Sequence, residues 1–173
     1  PVYISEGRSL GESLIEQLSF RSLSDEELTI AAYIVGSIDD DGYLRRDLGS
    51  LSDDLAFTRG MDVSVEELER ILHIVHELEP AGIGARTLQE CLLLQMPERN
   101  LDSKTKRLAH KIISSHFEAF SKKHYERLMS RLAVTEDEFR AAVQEIQHLS
   151  PKPGNLFSEG GVEAAPYIIP DFL

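Results

Sequence analysis

The stretch VSVEELERILHIV at residues 63–75 is the clearest indication of the fold class. It joins a helix start signal to apolar residues at helical spacing. The hydroxyl of Ser64 and the carboxylate of Glu67 can each accept a hydrogen bond from a free backbone N–H of the first helical turn. Behind this cap, apolar residues recur at spacings of three and four, from Leu68 to Val75, which places them on one face of a helix. The stretch therefore predicts an amphipathic helix with one buried face.

The same start signal, Ser or Thr followed three residues later by Glu, occurs five times. The pairs are Ser9/Glu12, Ser24/Glu27, Ser64/Glu67, Thr87/Glu90 and Thr135/Glu138. A further helical run is predicted from Ile112 to Phe120, with shorter helices near 47–57 and 121–132. No alternating strand pattern competes over residues 1–150, and we find no internal repeat. We predict an all-α fold.

Proline and glycine clusters divide the helical chain. The predicted structural turns are Gly42, Pro80, Gly82, Gly84, Pro151, Pro153 and Gly154. The charge changes sign near residues 97–100, so we predict one helical subdomain over 1–98 and a second over 99–157. The second has a helix-turn-helix-like order, with a helix near 121–132, a short turn and a capped helix from Thr135. A linker and an extended tail, which suggest a truncated chain, are predicted over 158–173.

The run DDDG at 39–42 resembles a calcium-binding loop but fails the test of its end ligands. When Gly42 is aligned with the glycine of that loop, Ser37 takes the first ligand position and Leu48 takes the place of the bidentate Glu. We interpret the run as a tight turn in which Gly42 has a positive φ. The next two residues, Tyr43 and Leu44, are then expected to enter the core.

Other site chemistry is weakly represented. The histidine pairs His73/His76 and His110/His116 lack the further ligands of a zinc site, and Cys91 lies in an apolar run. We find no nucleophile elbow, phosphate-binding loop or dinucleotide motif. The acidic pairs stand at helix starts, where they suit the helix dipole. We expect no enzyme activity, no metal and no cofactor; a hydrolase that uses the acidic clusters is a remote alternative.

Composition indicates a globular protein of the cytoplasm. The chain has 173 residues, of which 42% are hydrophobic and 28% charged, which is enough apolar material for a folded domain. No apolar run approaches the roughly 20 residues that cross a bilayer, and the first residues lack an export signal. A single cysteine fits a reducing compartment. We expect no membrane contact.

The net charge of −12 is unevenly distributed along the chain. Residues 99–131 hold nine Lys or Arg and three Asp or Glu, a net charge of +6, so the remainder carries −18. This stretch is either a solvated helix face or a contact with DNA backbone or with an acidic partner surface. The candidate partner-binding residues are Arg86, Lys104, Arg107, Lys111, Lys122, Lys123 and Arg127. Arg86 could instead serve only to set the angle between two helices.

Five ordered motifs resemble the core-binding region of sigma-54-class sigma factors. They are LGESLIEQL at 10–18, IDDDGYL at 38–44, LEPAGIGAR at 78–86 running into LQECLLLQ at 88–95, LSPKPG at 149–154, and YIIPD at 167–171. The resemblance covers residues 9–171. Phe172 follows the last motif where the family more often has a smaller aliphatic residue.

The resemblance implies a domain that binds core RNA polymerase. The family directs polymerase to promoters and holds it closed until an ATP-driven activator remodels it. The glutamine-rich region that answers the activator and the domain that reads promoter DNA have no counterpart here. We therefore expect promoter DNA and the activator to be partners of the full-length factor only.

A rival hypothesis is a helix-turn-helix DNA-binding domain that acts through residues 99–148. The second helix of such a motif enters the major groove and needs basic or amide side chains at its start. Here the helix after Thr135 begins with Glu136, Asp137 and Glu138, which phosphate groups would repel. Polymerase binding is the preferred interpretation.

Overall fold

A computed structural model describes residues 9–155, and the regular elements of this part of the chain are all helices. Its elements are α1 (Leu10–Ser19), α2 (Asp25–Gly36), α3 (Leu48–Arg59), α4 (Val65–Val75), α5 (Leu88–Leu94), a 3-10 turn (Glu98–Asn100), α6 (Lys104–Ser115), α7 (Phe117–Ser121), α8 (Tyr125–Leu132) and α9 (Glu136–Gln147). The only extended pairing within 9–155 is an isolated bridge between Tyr43 and Ala85. The predicted all-α class is confirmed. The predicted tail over 158–173 lies outside the described residues.

The described residues form two compact units, each with its own apolar core. Unit 1 comprises residues 9–86 and 152–155, and unit 2 comprises residues 87–151. The division thus differs from the predicted boundary at 98/99. The reason is that α5 packs on α6, and its Leu92 lies in the core of unit 2 together with Met96. The charge change near residue 98 is a property of the surface, whereas apolar burial decides where a unit begins.

Side-chain caps begin the helices at all five predicted positions. Ser9, Ser24 and Thr135 form complete capping boxes with the glutamates three residues later. Ser64 and Thr87 accept the N–H of Glu67 and Glu90 in the same way. Two further helices have side-chain caps, Asp47 on α3 and Ser103 on α6. These caps do not match the sequence pattern, because Ser50 and Lys106 stand where the pattern requires Glu.

Unit 2 has one helix boundary that the sequence did not predict. The apolar face from Ile112 to Phe120 was expected to belong to one helix, but α6 ends at Ser115 and α7 begins at Phe117. His116 between them has φ −133°, outside the helical range. The break still allows Ile112, Ile113 and Phe120 to be buried in the same core. Helices α8 and α9 occur where predicted, while their helix-turn-helix-like arrangement stays a prediction.

A glutamine closes each unit in the same manner. In unit 1 the Gln17 amide donates to the carbonyl of Glu79 (2.6 Å) and accepts from its N–H (2.8 Å), 62 residues away. In unit 2 the Gln95 amide makes the same pair of bonds with Ser150, at 2.7 and 2.8 Å, across 55 residues. Both peptide groups precede a proline at the end of the unit. We call these pairs the glutamine clasps.

The clasps belong to a larger internal repeat, which corrects the expectation that none exists. In the first helix, Ser9, Leu14 and Gln17 correspond to Thr87, Leu92 and Gln95, each 78 positions later. The same offset matches the buried residues of α2 and α6: Ala31 with Ala109, Ile34 with Ile112, and Val35 with Ile113. After a seven-residue difference in the middle, α4 matches α9 at Ser64/Thr135, Leu68/Phe139, Leu72/Val143 and Val75/Ile146, ending in Leu-x-Pro. The repeat escaped notice because only caps, core positions and the clasp are shared.

Removing a clasp should destabilise its own unit. Gln95→Leu keeps the side-chain size but leaves the N–H and C=O of Ser150 without their partner, which costs about 1–3 kcal/mol of unfolding free energy. Hydrogen exchange should become faster at the Ser150 amide and remain unchanged at the Glu79 amide. Gln17→Leu is the matched variant and should give the reverse pattern. Equal exchange rates in both variants and the wild type would contradict the role of the clasps.

Candidate partner-binding surfaces

The predicted turns of unit 1 come together in one place, which we call the turn cluster (residues 39–45, 79–86 and 152–154). The N–H of Gly84 donates to the carbonyl of Gly42 (2.8 Å), and the N–H of Leu44 donates to the carbonyl of Ala85 (2.9 Å). The N–H of Gly154 donates to the carbonyl of Asp41 (3.0 Å). Three segments that are distant in sequence are therefore joined through their backbones.

The contact between Gly42 and Gly154 leaves no room for side chains. Gly42 has φ +101°, as predicted, and a Cβ there would lie 2.9 Å from the nitrogen of Gly154. A Cβ on Gly154 would lie 2.3 Å from the carbonyl oxygen of Asp40. Tyr43 and Leu44 follow this contact and are buried, also as predicted. Glycine is required here by both backbone conformation and close approach.

Arg45 holds the two carboxylates that had suggested a calcium loop. Its guanidinium lies 2.7 Å from Asp39 and 2.8 Å from Asp41 and stacks over the Tyr43 ring at 5.0 Å. The hydrogen bond from Arg45 is the main cause that lowers the pKa of Asp41, and the N–H of Tyr43 adds to it. The same pairs raise the pKa of Arg45. Both carboxylates therefore serve an internal ion pair.

Arg86, a predicted partner-binding residue, is held within unit 1. It makes a two-pronged contact with Glu69, at 3.0 and 3.2 Å, and about a third of its side chain is exposed. The ring of His76 beside it is hydrogen-bonded to the carbonyl of Gly84 (3.0 Å). This geometry favours the alternative in which Arg86 fixes the turn between helices.

The predicted basic residues of unit 2 form two groups. Lys104, Arg107 and Lys111 follow one another along α6 at helical spacing and are exposed. Lys104 lies 3.5 Å from Glu138, and Arg107 donates to the carbonyl of Leu101. Lys111 has no ion pair with any residue in 9–155. A partner could therefore bind Lys111 without first breaking an ion pair or hydrogen bond of the kind that Lys104 and Arg107 make.

The second basic group surrounds the turn from α7 to α8. Lys122 pairs with Glu118 at 2.9 Å, and this contact lowers the pKa of Glu118. Lys123 has φ +65° and lies in the turn that follows α7, and Arg127 is exposed on the first turn of α8. The start of α9, in contrast, exposes Glu136 and Asp137.

Unit 1 carries a surface that the sequence did not predict, an apolar groove of about 850 Å³ between α1 and α2. Its apolar lining consists of Ile15, Leu28, Ala32, Tyr33 and Gly36. Its polar lining consists of Ser19, Thr29, Ser37, Asp39, Arg46 and Arg59. Arg46 is bound to Asp54 at 2.6 Å, and the Tyr33 hydroxyl donates to the same carboxylate at 2.9 Å. We call this surface the α1–α2 groove.

Sites of other kinds find little support in the described chain. Residues 9–155 contain no group of three or more His, Cys, Asp or Glu side chains placed to hold a metal ion. No helix among them is both long and apolar enough to cross a membrane. Cys91 is buried, with its Sγ 3.6 Å from the carbonyl of Ser150.

Capped helices, two small apolar cores and turns joined through their backbones define an all-α protein of two helical units. The family model described as "Sigma-54 factor, core binding domain" matches residues 2–173. The chain belongs to this family.

Curated relatives agree with the family match. RNA polymerase sigma-54 factor of Pseudomonas aeruginosa is 39% identical over 171 residues, that of Acidithiobacillus ferridurans 36% over 170, and that of Bacillus subtilis 35% over 169. The matches cover 98%, 98% and 96% of this chain. The chain spans about a third of the length of these relatives, namely 33%, 34% and 36%.

The close contact at Gly42 gives a direct stability test. Gly42→Val places a branched side chain at a positive φ and against the backbone of Gly154, so it should lower the unfolding free energy by more than about 1 kcal/mol. Gly60→Ala is the control, because Gly60 also has a positive φ (+64°) but a Cβ there meets no described atom within 4 Å. Denaturant unfolding should show the larger loss for Gly42→Val. An equal loss in both variants would show that contact with Gly154 is unimportant.

The Arg45–Asp41 pair should make stability depend on pH in acid. The pKa of Asp41 is lowered from 3.8 in the folded chain, so its stabilising effect is complete above that value and is lost as pH falls through the folded pKa. The difference in unfolding free energy between wild type and Asp41→Asn should therefore be constant near neutrality and shrink below about pH 4. In an Arg45→Met background this pH dependence should be much weaker. A difference that grows in acid would contradict the assignment.

Proposed function

We propose that this chain binds core RNA polymerase and forms the polymerase-binding part of a sigma-54 transcription initiation factor. The observation that carries the proposal is the match over residues 2–173 to the family of sigma-54 core-binding domains. Sigma factors of this family are initiation factors and not enzymes, so recognition surfaces are what the function needs. The place of action would be the cytoplasm, where polymerase works.

The surfaces of the two units suit different parts of a large partner. Residues 9–86 contain 17 acidic residues and six arginines, five of which are bound to those acids. Unit 2 instead exposes the basic residues of α6 and of the α7–α8 turn. Charge complementarity between proteins directs encounter and rejects wrong partners. We infer that the acidic surface of unit 1 faces basic polymerase surfaces and that the basic residues of unit 2 face acidic ones.

The rival function, DNA reading by the helix-turn-helix-like part, has less physical support. Helix α9 would be the reading helix, but its exposed first turn carries Glu136 and Asp137, and Arg140 is paired with Glu136 at 3.0 Å. A major-groove helix that begins with carboxylates would meet phosphate repulsion. We therefore assign promoter DNA and the ATP-driven activator to the full-length factor.

The two candidate functions predict different results in binding experiments. The purified chain should co-elute with core polymerase that lacks a sigma subunit when no DNA is present. It should show at most weak binding to a duplex at physiological salt. Binding to a duplex without polymerase binding would overturn the proposal in favour of the DNA-binding alternative.

Lys111 provides a sharper test of the basic surface. Lys111→Glu should weaken polymerase binding by at least about fivefold at low salt, with a smaller effect at high salt, because exposed charges are screened. Arg140→Glu is the matched control, since it makes the same charge change on α9 outside the predicted basic set. Circular dichroism should show unchanged helicity in both. Equal affinities of the two variants would remove Lys111 from the interface.

A further inference from the structure

Two helical glycines in unit 1 have no explanation within the described chain. Gly11 in α1 and Gly36 at the end of α2 are outside the positive-φ residues, and a Cβ on either would meet no described atom within 4 Å. Glycine weakens a helix relative to alanine because it loses more backbone freedom on folding. At neither position does backbone conformation or internal packing require glycine, in contrast to Gly42.

Gly36 lines the α1–α2 groove, and Gly11 belongs to α1, the helix that contributes Ile15 to the same lining. Gly11 stands four residues before Ile15 in α1, and Gly36 stands four residues after Ala32 in α2. Residues four apart lie on the same face of a helix. The missing side chains therefore leave open space on the helix faces that contribute Ile15 and Ala32 to the groove lining.

Unit 2 shows the same region in a closed form. Gln89 and Ser114 occupy the positions equivalent to Gly11 and Gly36. The Gln89 amide donates to the carbonyls of Ile113 (2.9 Å) and Ser114 (3.5 Å), which ties α5 to α6. The module thus folds with polar side chains at these positions, and glycine is a feature of unit 1 alone.

The charge at the groove indicates what would bind there. Among the six arginines in residues 9–86, Arg59 alone has no ion pair with a described residue, although this segment contains 17 acidic residues. Arg59 lines the groove. An arginine without an ion pair to any residue in 9–155, beside an apolar groove lining, matches an external apolar segment that carries its own carboxylate.

We propose that the α1–α2 groove binds one amphipathic α-helix of core polymerase, with an apolar stripe against Ile15 and Ala32 and a carboxylate against Arg59. Grooves between two helices accept a helix through residues spaced three and four apart, which is the spacing of the groove's own sides. This assignment rests on the proposed function for the identity of the partner. The chemistry of the bound helix rests on the groove itself.

Filling the groove tests the site without harming the fold. Gly36→Met adds a better helix former in open space, so the Tm should stay unchanged or rise. The affinity of the labelled chain for core polymerase, measured by fluorescence anisotropy, should fall by about tenfold or more. Ala56→Met is the matched control, because Ala56 is exposed on α3 and is not part of the groove lining. Gly36→Met binding as tightly as Ala56→Met would overturn the proposal.

A charge-swap experiment tests the chemistry independently of polymerase. Two synthetic helical peptides share one leucine stripe and differ only in flanking Glu or Lys residues. The Glu-flanked peptide should shift the amide resonances of Ile15, Ala32 and Arg59 in the full chain, and the Lys-flanked peptide should not. Arg59→Glu should reverse this preference. No shift at these residues with either peptide, or no reversal, would overturn the groove assignment.

The two experiments separate the failure of this proposal from the failure of the proposed function. If wild-type chain binds polymerase but Gly36→Met binds equally well, the groove is not the docking site and the function stands. If wild-type chain does not bind polymerase, the proposed function fails. The peptide result then decides whether the groove keeps its assigned chemistry or is rejected as well.

Discussion

Each unit depends on one pairing, the glutamine clasp between the first helix and the peptide group that precedes the last proline. A side-chain amide can satisfy a backbone N–H and a backbone C=O together, as a strand would, but it does so from a helix. In unit 1 the clasp spans 62 residues and in unit 2 it spans 55. It thereby connects the first helix of each unit to the turn after its last helix, and the helices between these two points share one apolar core. The cap that precedes each glutamine fixes the register of that helix, so that Gln17 and Gln95 face the turn and not the solvent.

The local parts of this arrangement were predictable because their causes are local. A hydroxyl at a helix start binds an N–H three residues away, so Ser64 and Thr135 could be identified as caps from spacing alone. A glycine after three aspartates similarly predicted the positive φ of Gly42. The clasps, the Gly42–Gly154 contact and the unit boundary depend on residues far apart in sequence. No period or short motif encodes such a pairing, and the internal repeat that could have revealed it is carried by few shared positions.

The sequence shows which candidate site residues are charged. It does not show whether each charge forms an internal ion pair or is available to a partner. Arg86 was proposed as an anchor or as a structural residue, and the two-pronged contact with Glu69 favours the second. Lys122 is likewise engaged by Glu118. Lys111 and Arg59 could be singled out only from the structure. It shows which cations have ion pairs within residues 9–155 and that these two have none. The α1–α2 groove escaped detection for a related reason: Gly11 and Gly36 are informative only when the space around them is visible.

The repeat explains how one fold can present two unlike surfaces. The face of α2 that forms the groove, with Thr29, Tyr33 and Gly36, corresponds to the face of α6 with Arg107, Lys111 and Ser114. The core side of both helices keeps the same apolar residues, because each unit must bury its own core to fold. The outer side carries no such constraint, and these positions are uncharged in unit 1 and include two basic residues in unit 2. A module that binds through such faces needs no reaction centre, since its specificity lies in the shape and charge of surfaces that the core holds in place.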